Sequence, residues 1–149
     1  MPFSFKLVAL VVAVFSGVFM AVQGSLNSRL GKVIGLWEAT LVVHVVGLIT
    51  IAIILFVLGL GKGDIGRLPG APWYTLTGGL LGVLIVYGVV VSIPRLGVAV
   101  ATTLIIVGQV MTALIIDHYG LFGLQRVPFT WLKGLGLVLL AAGAKLLLN

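Results

Sequence analysis

The chain has 149 residues, of which 61% are hydrophobic and only 8% are charged, and its mean hydropathy is +1.34. A soluble domain carries charge on about a quarter of its residues, so this composition indicates an integral membrane protein whose solvent is mostly lipid. Three Asp and Glu residues reduce the charge of nine Lys and Arg residues to a net +6. The Lys and Arg residues are scattered singly between apolar runs, which is typical of interfacial anchors and argues against a nucleic-acid partner.

The sequence offers no catalytic or metal-binding constellation. It contains no cysteine, two histidines and three carboxylates, which excludes disulfides and thiolate metal sites. No Gly-rich phosphate loop and no HExxH motif is found. Asp117 and His118 follow a predicted helix without a neighbouring nucleophile, so we expect them to cap its end. We therefore expect no enzyme activity, no catalytic or metal-ligating residues and no cofactor.

The first apolar run, residues 5–30, predicts a transmembrane helix. A charge followed by an apolar stretch also resembles a signal peptide, but the following AVQG lacks small residues at both cleavage-flanking positions, so we expect the helix to be retained. Four residues recur at spacings of four, three and four and share one face: Ser16, Met20, Gln23 and Asn27. Ser25, Ser28 and Arg29 are explained by ordinary helix-end chemistry at the interface.

Four further apolar runs predict helices over residues 36–60, 73–93, 97–116 and 131–148. Turn-rich segments separate them, and Trp37, Trp73 and Trp131 stand at the span starts, as expected at the membrane interface. The link PRLG is so short that helices 3 and 4 must form an antiparallel hairpin. The predicted fold is an all-α integral membrane protein with five transmembrane helices in one domain, residues 1–149.

The positive charges are almost balanced between the two sides of the membrane. Five spans place five Lys and Arg on the N-terminal side: Lys6, Lys62, Arg67, Arg126 and Lys133. The opposite side has four: Arg29, Lys32, Arg95 and Lys145. Since the positive-inside rule needs a bias, the count favours dual topology and an antiparallel homodimer. A weak bias set by the first helix is the alternative.

Polar side chains within the spans predict a substrate path. Measured from the side that carries Arg29, helical rise puts Gln23 about 6–10 Å deep, Tyr87 about 9 Å, His44 about 12 Å and Gln109 about 18 Å. Polar groups in hydrocarbon usually face a bundle interior or a wet cavity. The predicted substrate-binding residues are Gln23, Asn27, His44, Tyr87, Gln109 and Ser16. For Gln109, cavity lining and helix–helix hydrogen bonding are equally favoured.

Two residues are candidates for coupling. Histidine changes charge near neutral pH, so His44 could carry a coupling proton, or it could be a neutral imidazole bonded to a neighbouring helix. Glu38 could attract a cationic substrate or exchange a proton, or it could pair with Arg29 or Lys32. Protons and sodium ions are the candidate coupling ions.

Small residues predict close helix contacts. Gly134, Gly136 and Gly143 in helix 5, and Gly78 and Gly82 at GxxxG spacing in helix 3, favour helix packing or dimerisation.

Several stretches resemble one family: QGSLNSRLG, HVVGLI, IPRLGVAVATTLIIVGQ, IIDHYGLFG and GLGLVLLAAGAKLL. They are similar to the YdcZ-like five-helix family of the drug/metabolite transporter superfamily, whose members lie in the bacterial inner membrane. The resemblance implies a multi-pass transporter, a half-unit of larger relatives that contain two inverted five-helix repeats. A single five-helix chain would supply that architecture by antiparallel pairing, in agreement with the charge count.

The expected function is alternating-access transport of a small polar or amphipathic metabolite or drug, with the lipid bilayer, a second copy and a small-molecule substrate as partners. The alternative is a non-transporting membrane subunit that assembles with another membrane protein. Small multidrug resistance transporters use a carboxylate deep in helix 1, and helix 1 has none here. If a carboxylate acts in this chain, it must be Glu38.

Overall fold

The computed structural model describes the backbone of residues 3–148 and the side chains of residues 5–148. Five α-helices run through this range: α1 (Phe3–Ile34), α2 (Leu36–Ala52), α3 (Thr77–Leu96), α4 (Val98–Tyr119) and α5 (Trp131–Leu147). The all-α prediction is confirmed. The chain forms two compact units, one up to Ser92 and one from Ile93 onward, and the single transmembrane domain stays a prediction.

Four segments are long and apolar enough to cross a membrane: Phe5–Ile34, Leu36–Val57, Trp73–Leu96 and Val98–Tyr119. Helix α5 has 17 residues and is about 26 Å long, slightly short of the bilayer core of about 30 Å. The fifth span therefore stays a prediction. Large apolar side chains along the spans, such as Val14 and Phe56, are mostly exposed. Such surfaces are stable only when lipid or another protein covers them.

The helix boundaries differ from the sequence prediction at several places, of which three matter for the packing. Helix α1 continues past residue 30 to Ile34, because Gly31 is helical and the break comes only at Gly35. Helix α3 runs through Pro94 to Leu96, so PRLG is the end of a helix rather than a loop. Helix α2 ends at Ala52 and is followed by a π-helical turn, Ile53–Val57.

Single glycines separate α1 from α2 and α3 from α4. Gly35 has φ +102° and Gly97 has φ +81°, values that L side chains rarely adopt. At Gly35 the amide donates to Gly31 and the carbonyl accepts from Ala39; at Gly97 the same bonds go to Ile93 and from Ala101. The pattern Gly-x-x-x-Ala-Thr begins at both positions, so the two connections are a local repeat.

In the first unit, three helices approach closely near Gly31. A methyl group built on Gly31 would lie 2.6 Å from Cγ1 of Val90 and 3.8 Å from Cβ of Ala39. Val90 and Ala39 are both 0% exposed. Only glycine therefore allows α1 to approach α2 and α3 at this level.

In the second unit, α4 packs against α5, and Ala101 near the start of α4 and Ala144 near the end of α5 are buried. At the other end, the segment after α4 folds back on it. The amide of Val127 donates to the carbonyl of Asp117 at 2.8 Å, and that of Phe129 donates to Nδ1 of His118 at 3.1 Å. The side chain of His118 thus holds the helix end, as the sequence predicts, whereas Asp117 contributes its backbone carbonyl only.

Candidate functional site

A cavity of about 210 Å³ lies between α2 and α3 in the first unit. Its walls are formed by Trp37, Thr40, Leu41, His44 and Val83. The four residues of α2 fall at spacings of three, one and three, so they share one helix face. Typical pockets for drug-sized molecules measure about 300–1,000 Å³, which means that this cavity suits a smaller molecule.

His44 lines this cavity, and its two ring nitrogens differ in their hydrogen bonding. Its Nδ1 lies 2.8 Å from the carbonyl oxygen of Thr40, and a carbonyl can only accept, so Nδ1 carries the hydrogen. In the neutral ring, Nε2 is then an acceptor. Within residues 5–148, no hydrogen bond reaches Nε2. The hydroxyl of Thr40, which also lines the cavity, donates instead to the carbonyl of Leu36 at 2.9 Å.

An aromatic pair flanks the cavity. The rings of Trp37 and Tyr87 stack with centroids 4.2 Å apart and an interplanar angle of 21°. This contact and the proximity of His44 to Gly82 show that α2 and α3 run antiparallel. Stacked aromatic pairs contribute about 0.5–1.5 kcal/mol beyond the area that they bury. Trp37, which the sequence suggests is an interfacial anchor, therefore also forms a wall of the site.

Two polar side chains on α1 are buried without an internal partner. Asn27 and Ser28 are 7% and 4% exposed, and neither side chain forms a hydrogen bond to another residue in the described range. Most serines and threonines of these helices bond their own backbone, as Ser25 does to the carbonyl of Ala21 at 2.8 Å. Among the described residues no fully buried side-chain nitrogen or oxygen lacks a partner, so the polar atoms of Asn27 and Ser28 keep a small exposed area through which another molecule can reach them.

The remaining residues of the predicted polar stripe on α1 are not buried with Asn27. Ser16 is exposed, and its hydroxyl donates to the carbonyl of Val12 at 2.9 Å. Gln23 is exposed as well. The buried face consists instead of Gly24, Asn27 and Ser28. Gln109 is an exposed residue of α4 in the second unit.

Glu38 lies in the first turn of α2. Its carboxylate folds back on Gly35, where Oε2 would collide with any side chain at that position. The N-terminus of a helix is its positive end, so an anion is stabilised there. In the described part of the chain Glu38 forms no ion pair with Arg29 or Lys32. Its negative charge is stabilised by the N-terminus of α2 instead.

The glycines that the sequence assigns to packing fall into two groups. A methyl group on Gly78, Gly136 or Gly143 would meet nothing within 4 Å, so these faces are open within the chain and their role in dimerisation stays a prediction. A methyl group on Gly134 would lie 3.1 Å from the ring of Phe129, and one on Gly82 would lie 3.6 Å from Nε2 of His44.

A larger cavity of about 420 Å³ lies in the second unit. Its walls are formed by Met111, Leu114, Ile115, His118, Tyr119, Phe129 and Leu137. Its histidine, His118, already accepts a hydrogen bond through Nδ1 and lies in the last turn of the candidate span Val98–Tyr119. The smaller cavity is the stronger candidate, because its histidine lies in the candidate span Leu36–Val57 and has no hydrogen-bond partner at Nε2 among residues 5–148.

Sequence reasoning missed Trp37 and Thr40 as residues of the cavity, and Ser28 as a buried residue of α1. The first two share the helix face of His44, so a search for residues three, four and seven positions apart along α2 would have found them. Ser28 carried no such signal. Its burial depends on how α1 packs.

No curated protein and no solved structure shows significant similarity to the chain. Residues 8–146 match the sequence model of the family described as "Putative inner membrane exporter, YdcZ". The match extends over nearly all of the four candidate spans and α5. This chain belongs to the YdcZ family and is a multi-pass membrane transporter of the inner membrane.

Proposed function

We propose that the chain is an alternating-access carrier for a small polar or amphipathic molecule and works as an antiparallel, dual-topology homodimer. The observations that carry the proposal are the cavity between α2 and α3, which His44 lines, and Nε2 of His44, which has no hydrogen-bond partner among residues 5–148. A polar atom without a hydrogen bond in a transmembrane helix raises the free energy of the protein. A hydrogen bond from a bound substrate would offset this cost.

The other polar side chains have proposed roles around this cavity. Asn27 would bind substrate with its buried amide, and Tyr87 would hold Trp37 in place by stacking. His44 would bind substrate and carry a coupling proton. Glu38, exposed beside Trp37, would attract cations or exchange protons at the entrance.

The exposed glutamines fit the proposed dimer. Gln23 and Gln109 are polar side chains that the single chain leaves exposed at membrane depth, where contact with lipid is unfavourable. In a pair of antiparallel copies they would line the path between the copies. Two such copies exchange between equivalent conformations, so that the site opens in turn to each side.

Flux measurements in proteoliposomes test the carrier. Small cations, amino acids and sugars are offered with and without a pH gradient, and we expect uptake of one class. Gln23→Ala and Gln109→Ala should abolish flux while crosslinking still detects dimers. Loss of the dimer would show that the glutamines hold helices together, and absence of flux for all three classes would contradict the proposal.

A further inference from the structure

Gly82 has one neighbour within reach, and that neighbour is His44. A methyl group at Gly82 would lie 3.6 Å from Nε2 of His44 and would contact no other atom within 4 Å. One helical turn earlier, a methyl group at Gly78 would meet nothing. The GxxxG spacing therefore does not mark a close contact between helix backbones within this chain.

The atom that faces Gly82 is the unused acceptor of the imidazole. Because Nδ1 donates to Thr40, the lone pair of the neutral ring is on Nε2. A donor that bonds this lone pair must bring its heavy atom to about 2.7–3.2 Å from it. Because Gly82 has no side chain, part of the molecule that carries this donor can lie in the space between Gly82 and Nε2.

We infer that Gly82 is a specificity-determining residue, which leaves Nε2 of His44 open to a hydrogen-bond donor of the transported molecule. The inference rests on the proposed transport function. The apolar and aromatic walls at Trp37, Leu41 and Val83 and the volume of about 210 Å³ define the substrate class. It is a small amphipathic molecule that carries at least one N–H or O–H group.

The substitution Gly82→Ala tests whether a small side chain at this position blocks access to Nε2 of His44 without disturbing the fold. At 3.6 Å the added methyl group is in ordinary van der Waals contact with Nε2, so it covers the nitrogen without a collision. Gly78→Ala makes the same change to the same helix in open space, and both variants gain the same helix propensity. Any difference between them therefore reports the contact with His44.

Chemical modification measures access without knowledge of the substrate. Diethyl pyrocarbonate acylates the unprotonated nitrogen of imidazole, and peptide mass spectrometry follows His44 and His118 in one sample. We expect native protein and Gly78→Ala to react at similar rates at His44. Gly82→Ala should slow that reaction at least fivefold and leave His118 unchanged. Equal rates in the two variants would overturn the inference.

Ligand binding measures the donor requirement. Indole and 1-methylindole are flat probes that differ in a single N–H group, and the ¹⁵N resonance of Nε2 reports contact in histidine-labelled protein in nanodiscs. Indole should shift this resonance, and 1-methylindole should not. Gly82→Ala should weaken indole binding about tenfold, the value of one hydrogen bond, while Gly78→Ala should not. Equal responses to both probes, or no response to indole, would refute the assignment.

These readouts keep the two proposals apart, because neither depends on flux. A native protein that carries no molecule in liposomes but shows the expected response at His44 would remove the transport proposal alone. Native flux with no difference between Gly82→Ala and Gly78→Ala would remove this inference alone.

Discussion

The close approach of three helices at Gly31 gives a quantitative prediction for Gly31→Ala. The new methyl carbon would lie 2.6 Å from Cγ1 of Val90, whereas carbon atoms are most stable at about 3.5–4.0 Å, so the helices must separate by about 1 Å. Val90 cannot move aside, since it is 0% exposed and its branched side chain has one favoured rotamer in a helix. Overpacking of this kind destabilises by about 1–3 kcal/mol.

Gly17→Ala is the matched control, because it lies in the same helix and its methyl group would meet nothing within 4 Å. Both variants gain helix propensity of up to about 1 kcal/mol, so their difference isolates the packing term. The free energy of unfolding is measured by SDS titration in mixed micelles and followed by tryptophan fluorescence. We expect Gly31→Ala to be less stable than Gly17→Ala by about 1–3 kcal/mol. Equal stability would refute the packing at Gly31.

Five further substitutions, at four residues, test the site and the topology. Tyr87→Phe should preserve the stack on Trp37 and substrate affinity, whereas Tyr87→Leu should weaken affinity several-fold in the flux assay; equal affinities would exclude the aromatic wall. Glu38→Gln should change the pH dependence of flux, and a small loss of thermal stability with an unaltered pH profile would leave Glu38 as a helix-end residue only. Lys6→Gln and Lys145→Gln remove charge from opposite sides, so reporters fused to the C-terminus should shift between the two orientations in opposite directions; a reporter on one side in every variant would contradict dual topology.

The helices were predictable from composition, but several of their boundaries were not. Apolar runs identify spans because a lipid solvent requires them, and four of the five predicted runs match helices long enough to cross. The prediction failed at PRLG because proline was interpreted as a loop signal. In the structure Pro94 lies in the last turn of α3, and the positive φ of Gly97 makes the break.

The candidate site was predictable only in part. His44, Tyr87 and Asn27 stand out as polar residues in an apolar run, and the structure places each of them at least partly buried. Gln23 carries the same signal but is exposed, because a helical wheel does not say which face meets a neighbouring helix. Burial of Ser28 is decided in the same way, by the packing of α1.

The sequence by itself determined the solvent, the all-α class and the family, since each depends on composition or on residue order along the chain. The tertiary structure decided the tautomer of His44, the stacking of Trp37 on Tyr87 and the position of Gly82 opposite the imidazole of His44. These depend on distances of 2.8 to 4.2 Å between side chains and backbone of the same or neighbouring helices. Helix periodicity fixes the face on which a residue lies, but only packing fixes what that face meets.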